Sequence, residues 1–358
     1  MKTQTNSTQT NKQTGLTLVE LMVAMIISLL LLGGTITIFM SNKQTYLVNE
    51  ASSRVQENGR FSFDFLSNDV RMAGFFGCVS NILDSTNLNN IVDTSQYTGG
   101  TGTPDPKIIK SLSLLTGTNS LKGYAIGATL TAGELFDLGL KTGTAVGDAL
   151  PNQDVIAMQI GESCNEGALI SAMTNINTPV LIQNAAACNI AQDSVVLISD
   201  CTNADLFRVV NDPSGANNLI HSTGRNTQNE LSKAYSTDAN VYTLRSSIYY
   251  IGNGSSGEPA LFRRVFSGAG AADNIAYEEL VDGVESMEIT YGVDTDGDNS
   301  ANYYVRENNI NATDWPQVIS ARIRLSAFSA QNNITQNTAN ADRKLRHTFT
   351  ETIKIRNR

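Results

Sequence analysis

Histidine and tryptophan are scarce in this chain of 358 residues, which contains two histidines and one tryptophan. Neither His221 nor His347 belongs to a His-x-x-x-His pair, and the sequence has no nucleophile elbow and no glycine-rich phosphate loop. Histidine is the side chain that enzymes use most often for general acid–base catalysis. Its scarcity gives no support to a membrane-anchored exported enzyme, and we expect no catalytic residue.

Charged residues are also few, at 16% of the chain, and 34 acidic residues outnumber 25 basic ones to give a net charge of −9. A nucleic-acid-binding surface needs a basic patch. The acidic balance therefore argues against a module that captures DNA, although the adjacent Arg263 and Arg264 leave this alternative open. Low charge together with abundant Asn, Thr, Ser and Gly is typical of a loop-rich β protein outside the cytoplasm.

The most distinctive feature is an uncharged apolar stretch, from Leu21 to Met40, that directly follows Glu20. A helix of about 20 apolar residues spans the roughly 30 Å of hydrocarbon in a bilayer. An ionised carboxylate at the mouth of such a helix is costly, so Glu20 calls for a partner or a function. We therefore assign residues 16–40 to a single transmembrane helix.

A short polar leader, residues 1–15, precedes the apolar stretch. It contains Lys2 and Lys12, no acidic residue, and ends in Gly15. A secretory signal is cleaved after its apolar core, whereas the plausible cleavage site here, between Gly15 and Leu16, lies before it. Cleavage would remove the leader and keep the helix. The two lysines predict a cytoplasmic N-terminus, so the rest of the chain would be exported.

The leader, Gly15, the sequence Thr17-Leu18-Val19-Glu20 and the apolar helix resemble the prepilin signature of the type IV filament superfamily. Leu16 replaces the usual phenylalanine. The resemblance implies cleavage and N-methylation by a prepilin peptidase, and a role in assembly for Glu20, the fifth mature residue. The cationic amine of Leu16 can pair with Glu20 of a neighbouring subunit, because a buried charge without a partner costs several kcal/mol. The alternative is a simple signal anchor.

The helix is predicted to continue beyond the membrane as an amphipathic segment, residues 41–77. No proline occurs in residues 41–72, and apolar residues form an approximate helical stripe of Val48, Val55, Phe61, Phe65, Leu66 and Val70. Gly74 and Gly77 are typical of a helix end. We therefore predict one helix from Leu16 to Met72, with residues 16–40 as the filament core.

Two adjacent glycines, Gly33 and Gly34, lie inside the predicted filament-core helix, residues 16–40, which we call the spine. Each costs roughly 1 kcal/mol relative to alanine in a helix interior. Small residues allow helices to pack closely in membranes. The resemblance to pilins implies a different role, a weak point where the helix unwinds in a filament. Both interpretations stay open.

Beyond Cys78 the pattern favours β structure in a globular domain, residues 78–358. Residues 79–152 are predicted to be long loops. Residues 285–293 and 303–306 are predicted to form a hairpin, and residues 319–327 alternate in polarity as a half-buried strand does. The other predicted strands are 154–160, 180–183, 194–199, 206–210, 241–251, 260–265 and a last one at 349–355. We predict an α+β fold with an antiparallel sheet packed on the long helix, which the resemblance makes a type IV pilin fold.

Several further sequence blocks resemble the PilW family of minor pilins. They include Gln56-Glu57-Asn58-Gly59-Arg60-Phe61, Gly74-Phe75-Phe76-Gly77-Cys78, Leu197-Ile198-Ser199-Asp200-Cys201 and Leu280-Val281-Asp282-Gly283-Val284-Glu285. The resemblance implies a structural protein that primes a type IV pilus and forms part of its tip, with roles in adhesion and twitching motility. The alternative is the J-type minor pseudopilin of type II secretion, which shares the helix.

The resemblance also implies partners and a location. The partners are other minor pilins, the major pilin, a PilY-type tip adhesin, the inner-membrane assembly platform and the prepilin peptidase. The chain would cross the inner membrane once with its globular domain in the periplasm, and then move to the pilus tip at the cell surface.

Four cysteines lie in the predicted exported part, and an even number there indicates two disulfides. No C-x-x-C pair occurs, which disfavours a zinc ribbon. Three pairings are possible. We favour Cys78–Cys201, tying the end of the helix to a strand, and Cys164–Cys188, closing a polar loop.

Three aspartates alternate around a glycine in the sequence Asp294-Thr295-Asp296-Gly297-Asp298. Alternate carboxylates on a tight turn suit Ca²⁺, which binds six to eight oxygen ligands. The glycine position differs from that of an EF-hand loop, and Asp and Gly also favour ordinary hairpin turns. The sequence therefore leaves open a calcium site or a polar turn, and it predicts no other cofactor.

Overall fold

The computed structural model describes residues 15, 17–77, 88–93, 121–127, 138–267, 275–311, 314–335 and 341–356. They contain one α-helix and fourteen β-strands, which confirms the predicted α+β class. Helix α1, Leu18–Met72, is continuous over 55 residues and passes through Gly33 and Gly34 without a break. Its length is about 80 Å at 1.5 Å per residue.

The two halves of α1 have opposite environments. Every residue from Thr17 to Tyr46 is exposed, including the whole apolar segment. From Leu47 onward the helix packs one face against the strands, which together with their connections we call the head. The buried residues of this face are Ala51, Val55, Gly59, Ser62, Phe63, Leu66, Asp69 and Val70.

The buried face differs from the predicted stripe at two aromatic positions. Phe61 and Phe65 are 47% and 38% exposed, so the prediction that they pack on the head was wrong. The helix instead buries three large apolar residues in the core, Phe63, Leu66 and Val70. Small residues on the same face let the sheet approach closely. A Cβ atom on Gly59 would lie 2.4 Å from the ring of Phe349, so a larger residue there would displace that ring.

The strands form two main sheets and one small one. The first sheet contains β1 (Leu88–Asn90), β2 (Leu121–Ala125), β3 (Asp154–Ala168), β5 (Val195–Ser199), β6 (Ala204–Arg208), β8 (Asn240–Asn253), β9 (Pro259–Ser267) and β10 (Ile275–Asp282). The second contains β11 (Val284–Val293), β12 (Tyr303–Val305), β13 (Val318–Phe328) and β14 (Arg346–Lys354). A two-stranded sheet joins β4 (Val180–Leu181) to β7 (Asn218–Leu219).

Strand order places the second sheet and β10 against the helix. The first sheet runs β1-β6-β5-β8-β3-β2, with β9 paired to β8 and β10 to β9. The second runs β12-β11-β13-β14, and α1 packs on β14, β13 and β10. Pairing between the named strands is antiparallel except for β1 with β6, which is parallel.

Part of the region predicted as long loops is strand. β1 and β2 both lie within residues 79–152, so the prediction was wrong at these two segments, and the rest of the region is only partly described. Leu88-Asn89-Asn90 carries no β pattern of its own, and its strand conformation comes from pairing with β6. The predicted hairpin of β11 and β12 is confirmed.

A disulfide closes the predicted polar loop in the first sheet. The structure joins Cys164 to Cys188, in agreement with the favoured pairing. The closed segment contributes to an apolar cluster that includes Val180, Ile198 and Tyr235. Cys201 is disulfide-bonded as well, and its predicted partner, Cys78, lies outside the described residues.

The two main sheets are joined where β3 begins. β12 covers the outer edge of β11 from Tyr291 to Val293. The next two outward N–H groups, those of Met287 and Ile289, donate to the side chains of Gln153 (3.0 Å) and Asp154 (2.6 Å). These side chains satisfy buried backbone donors that would otherwise cost about 1–3 kcal/mol each.

Asp154 is an unusual choice of acceptor because it is only 5% exposed. Burial raises the pKa of Asp154 to about 6, against the opposing effect of the N–H of Ile289. The nearby carboxylates of Glu307 and Glu288 add to the rise, and Arg306 opposes it. The folded protein therefore holds a proton on Asp154 more tightly than the unfolded chain, whose aspartates have a pKa of about 3.9.

We expect the stability of the wild-type protein relative to an Asp154→Asn variant to fall as the pH rises from about 4 to 6. The comparison is with this variant because the lowered pKa values of other carboxyls, such as Asp200 and Asp342, affect both proteins alike. In this range the folded state binds more protons at Asp154 than the unfolded state, so the stabilising contribution is complete below pH 4 and lost above pH 6. An Asp154→Asn variant keeps an acceptor for Ile289 and removes this pH dependence. Urea denaturation of the full chain in detergent between pH 4 and 7.5 measures the effect. Asp238→Asn, at an exposed carboxylate, is the control. Parallel pH profiles for the Asp154→Asn and wild-type proteins would contradict the assignment.

Candidate functional site: the apolar helix, its junction with the head, and the aspartate loop

The start of α1 is built as a capping box around Glu20. The N–H and Oγ1 of Thr17 each donate to Glu20 Oε2 at 2.9 Å, and the N–H of Glu20 donates to Thr17 Oγ1 at 3.3 Å. This reciprocal arrangement satisfies backbone N–H groups that a helix start leaves without partners. Glu20 therefore serves its own helix while its carboxylate remains exposed at the helix end.

The sequence predicted the importance of Glu20 but missed the part played by Thr17. The signal was present, since a threonine followed three residues later by a glutamate before an apolar run is the capping-box pattern. The predicted cleavage residue Gly15 is exposed. Leu16 and residues 1–14 of the leader lie outside the described residues.

The helix is suited to a membrane by length and composition. It contains an 18-residue window with mean hydropathy 2.4, none of which is buried against the rest of the chain. Apolar patches on soluble monomers rarely exceed a few hundred Å². A helix exposed on all sides at Leu18–Met40 requires lipid or other subunits around it.

The junction of helix and head is organised by a buried carboxylate. Asp69 is 1% exposed and lies on the helix face toward β8 and β9. Its Oδ1 is 3.1 Å from Arg245 Nη2, and its Oδ2 accepts a hydrogen bond of 2.7 Å from the hydroxyl of Tyr249. Arg263 Nη1 lies 4.0 Å from the same oxygen. A single helix residue thus contacts three side chains of the head.

The outer ends of the two arginines are balanced by surface carboxylates. Arg245 pairs with Glu162 and Arg263 with Glu278, both at 2.7 Å. Burial raises the pKa of Tyr249, and the charge of Asp69 adds to the rise, so the phenol stays protonated and able to donate. Asp69 lies between the apolar positions of the helical pattern, so its burial could not be predicted from the sequence.

The predicted basic feature at Arg263 and Arg264 does not form a patch. The two side chains lie on opposite faces of β9, since neighbouring residues of a strand alternate. Arg263 is neutralised by Glu278 and Asp69, whereas Arg264 packs beside Gly139. Neither guanidinium adds to an exposed basic surface of the kind that nucleic acid requires.

The two histidines occupy different structural settings. His221 is buried, with Nε2 at 3.0 Å from the carbonyl of Thr178 and its ring against Phe207. His347 is exposed on β14 and contacts the ring of Phe349. A cavity of about 430 Å³ beside the Cys164–Cys188 disulfide is lined by polar residues that include neither histidine.

The three aspartates form a compact cluster in the turn between β11 and β12. One carboxylate oxygen from each of Asp294, Asp296 and Asp298 lies within 4.8 Å of the others. Asp294 also accepts the N–H groups of Gly297 (2.7 Å) and Asn299 (2.8 Å), which fixes the turn. The arrangement fits both a hairpin turn and a set of hard oxygen ligands for a divalent cation.

Two family models match the chain. The prokaryotic N-terminal methylation motif matches residues 10–36, which include Gly15 and Glu20. The model described as type IV pilus-assembly protein W matches residues 248–357, which cover the last part of β8 through β14. The resemblance to PilW-family pilins is thereby confirmed. A search of the curated proteins and a search of the solved structures each find no match.

The matched regions are the start of the chain with the exposed half of α1, and the strands on which the other half of α1 packs. The methylation motif includes much of the exposed half of α1. The region matched by the pilus-assembly model, residues 248–357, contains β10, β13 and β14, on which the other half of α1 packs. Among the residues of the junction, Arg263 and Tyr249 also belong to the matched region.

Replacing Asp69 with alanine should destabilise the protein by about 1–3 kcal/mol, because it leaves the buried hydroxyl of Tyr249 and two half-buried arginines without their shared carboxylate. Glu278→Ala is the matched control. It removes a half-exposed partner of Arg263 and should cost less than about 1 kcal/mol. Guanidinium denaturation of the full chain in detergent would measure both. Equal losses in the two variants would show that Asp69 does not organise the junction.

Proposed function

We propose that this chain, whose C-terminal region is of the PilW family and whose N-terminus carries a pilin methylation motif, is a minor pilin that primes assembly of a type IV pilus. The two family matches support a type IV pilin-related role, and together with the exposed apolar helix they support membrane anchoring. The observation that supports the priming role is that no described residue of the spine is buried against the head, while the rest of α1 is attached to the head through its buried face and Asp69. Such a subunit can present its head while its spine joins others.

In the proposed mechanism, a prepilin peptidase cleaves between Gly15 and Leu16 and methylates the new amine. Spine helices then bundle in the membrane, where lipid does not drive them together and specific contacts must. The amine of one Leu16 pairs with Glu20 of a neighbouring subunit and sets their stagger. Thr17 holds the Glu20 carboxylate at the helix end, where the incoming amine can reach it.

We propose an orientation with the N-terminus in the cytoplasm and the head in the periplasm before assembly. The lysines of the leader support it through the positive-inside rule. The Cys164–Cys188 disulfide supports it as well, since structural disulfides form in oxidising compartments. After assembly the head would form part of the pilus tip at the cell surface, with other minor pilins and a PilY-type adhesin. The inner-membrane platform would then add major pilin subunits at the membrane end of this tip complex.

A J-type minor pseudopilin of type II secretion is the alternative. It would use the same helix and the same pairing of Glu20, but its filament would push secreted cargo. The match of residues 248–357 to a pilus-assembly family favours the pilus.

Deleting the gene in a pilus-bearing host should abolish surface pili, and the wild-type gene should restore them. Glu20→Ala should fail to restore them at an equal protein level, because the amine of the neighbouring Leu16 stays unpaired. Glu20→Gln separates the two tasks of this residue, since glutamine can complete a capping box but carries no charge. We expect it to fail as well. Counts of surface pili by electron microscopy measure the result.

Each other outcome has a definite meaning. Restoration by Glu20→Gln would show that capping rather than charge pairing is required. Normal pili in the deletion strain would contradict the pilus function, and loss of protein secretion in that strain would identify the pseudopilin.

We also propose that the loop of Asp294, Asp296 and Asp298 binds Ca²⁺. The proximity of the three carboxylate oxygens supports this. Repulsion between three charges so close together would be relieved by a divalent cation, and the loop could complete the coordination with backbone oxygens and water.

Isothermal titration of the purified full chain in detergent with CaCl₂ should show one site, and Asp296→Ala should bind at least tenfold more weakly. Asp296 is the chosen position because its side chain is exposed, so its removal leaves the turn anchored by Asp294. Asp212→Ala, in another exposed turn, is the control. Absence of binding by the wild-type protein would leave the loop as a hairpin turn only.

A further inference from the structure

β14 forms one border of the second sheet, and its hydrogen-bonding pattern is fixed at both ends. The N–H of Ser329 donates to the carbonyl of Leu345 at 2.8 Å, and the N–H of Ile355 donates to that of Ile319 at 2.9 Å. The pairing of β13 and β14 between these bonds shows no register shift. Alternate residues of an antiparallel ladder direct their backbone groups toward the same neighbour. The odd-numbered residues of β14 therefore bond to β13.

The even-numbered residues of β14 direct their N–H and C=O groups away from the sheet. Three of them, Thr348, Thr350 and Thr352, are consecutive along this border and exposed. Within the described parts of the chain, none of their N–H groups donates to another residue. Among the described residues, this border thus presents three successive outward N–H groups without an acceptor, at a two-residue spacing. Farther along, beyond Lys354, the N–H of Arg356 donates to the carbonyl of Arg71 at 3.1 Å.

Other borders of the sheets are short or protected. β1 and β12 have three residues each, and β2 has five. β10 carries Glu278 and Glu279 and is interrupted by a bulge before Val281. The outward amides of β11 are occupied by Gln153 and Asp154. Short strands, charges and bulges are the devices by which proteins prevent pairing with other chains.

β14 departs from this pattern. It has nine residues, no proline and no bulge, and its outward charges, Arg346 and Lys354, stand only at its two ends. The three outward positions between them are threonines, which favour strand structure. Its one acidic residue, Glu351, belongs to the helix side and pairs with Arg71 at 3.9 Å. The long free border is therefore a template for another strand.

We propose that the outer border of β14 accepts an extended, largely uncharged strand from a neighbouring subunit of the pilus by strand addition, an inference that rests on the proposed function. Only an extended chain places donors and acceptors at the matching two-residue spacing. Uncharged β-branched residues pair best with the three threonines.

A second copy of this chain fits less well. Antiparallel self-pairing centred on Thr350 would place Lys354 of each copy opposite Arg346 of the other. The two carboxylates beside Arg346, those of Glu285 and Asp342, are already engaged by that guanidinium. Like charges directly opposite one another destabilise a sheet. The added strand therefore comes from a different subunit.

Thr350→Pro tests the proposal in the deletion strain. Proline removes the outward N–H and blocks an incoming strand with its ring, but it breaks no bond to β13 and is tolerated on a border strand. We expect loss of surface pili at an unchanged protein level. The conservative variant Thr350→Val retains the N–H and should restore pili. Equal resistance of both purified variants to limited proteolysis in detergent would show that the fold is intact.

Amide hydrogen exchange provides a readout that does not depend on pilus counts. The outward amides of Thr348, Thr350 and Thr352 should exchange fast in the purified chain in detergent, and at least tenfold more slowly in tip assemblies sheared from cells. The inner amides of Phe349 and Glu351 should be slow in both samples. Fast exchange of the outward amides in the assemblies would overturn the proposal.

The remaining outcomes separate this proposal from the function on which it rests. Normal pili with Thr350→Pro, in a strain where the deletion abolishes them, would contradict the strand addition alone. Normal pili in the deletion strain would contradict the proposed function and this inference with it. A disulfide-linked homodimer of a Thr350→Cys variant on cells would identify a second copy as the occupant and overturn the assignment to a different subunit.

Discussion

One helix segment is apolar on all sides, and the need to cover it governs the architecture of this protein. From Leu18 to Met40 the helix has no polar side toward water and no contact with its own head. At about 25 cal/mol per Å² of apolar surface, exposure of such a segment to water is prohibitive. The segment must therefore stay in lipid or among other helices, and the head must attach without using any of it. The remainder of α1 supplies that attachment.

Attachment is achieved with large apolar residues of the core, small residues on the same face and one buried charge. The small side chains along the buried face let the sheet approach the helix backbone, as the contact of Gly59 with Phe349 illustrates. Apolar contact alone would let a helix slide or rotate on a sheet, because it has little directional preference. Asp69 adds direction, since its two oxygens are engaged by Arg245 and Tyr249 at fixed positions. A buried ion pair is weak evidence for stability, but removing one of its partners is costly, so it specifies a single arrangement. The position of the head relative to the spine is thereby defined.

The sequence allowed prediction of features that arise from local pattern. The long helix, β13 and the hairpin of β11 and β12 each carry a periodicity that is independent of distant residues. The three alternating aspartates also came together as expected. The alternating pattern of its residues predicted the strand β14. The pattern could not predict which edge of this strand would remain without a neighbouring strand.

Features that depend on distant pairing could not be predicted. Asp69 meets Arg245 across 176 positions of the chain, and Asp154 meets Ile289 across 135. In the sequence each looks like an ordinary surface aspartate. β1 becomes a strand only because β6 offers a partner. The exposure of Phe61 and Phe65 was missed for a related reason. The apolar pattern of the helix does not show that the sheet packs on the face that contains Ala51 and Gly59.

The capping box at the helix start bears on how a subunit could enter a filament. In the isolated chain the carboxylate of Glu20 accepts two hydrogen bonds from Thr17. These bonds are exposed, so water competes for both partners and their net contribution is small. An amine left unpaired in an apolar filament core would cost several kcal/mol. The larger quantity decides the outcome, so the proposed pairing with the amine of a neighbouring Leu16 can displace one or both bonds from Thr17. Until that neighbour arrives, the same two bonds keep the first turn of the helix formed.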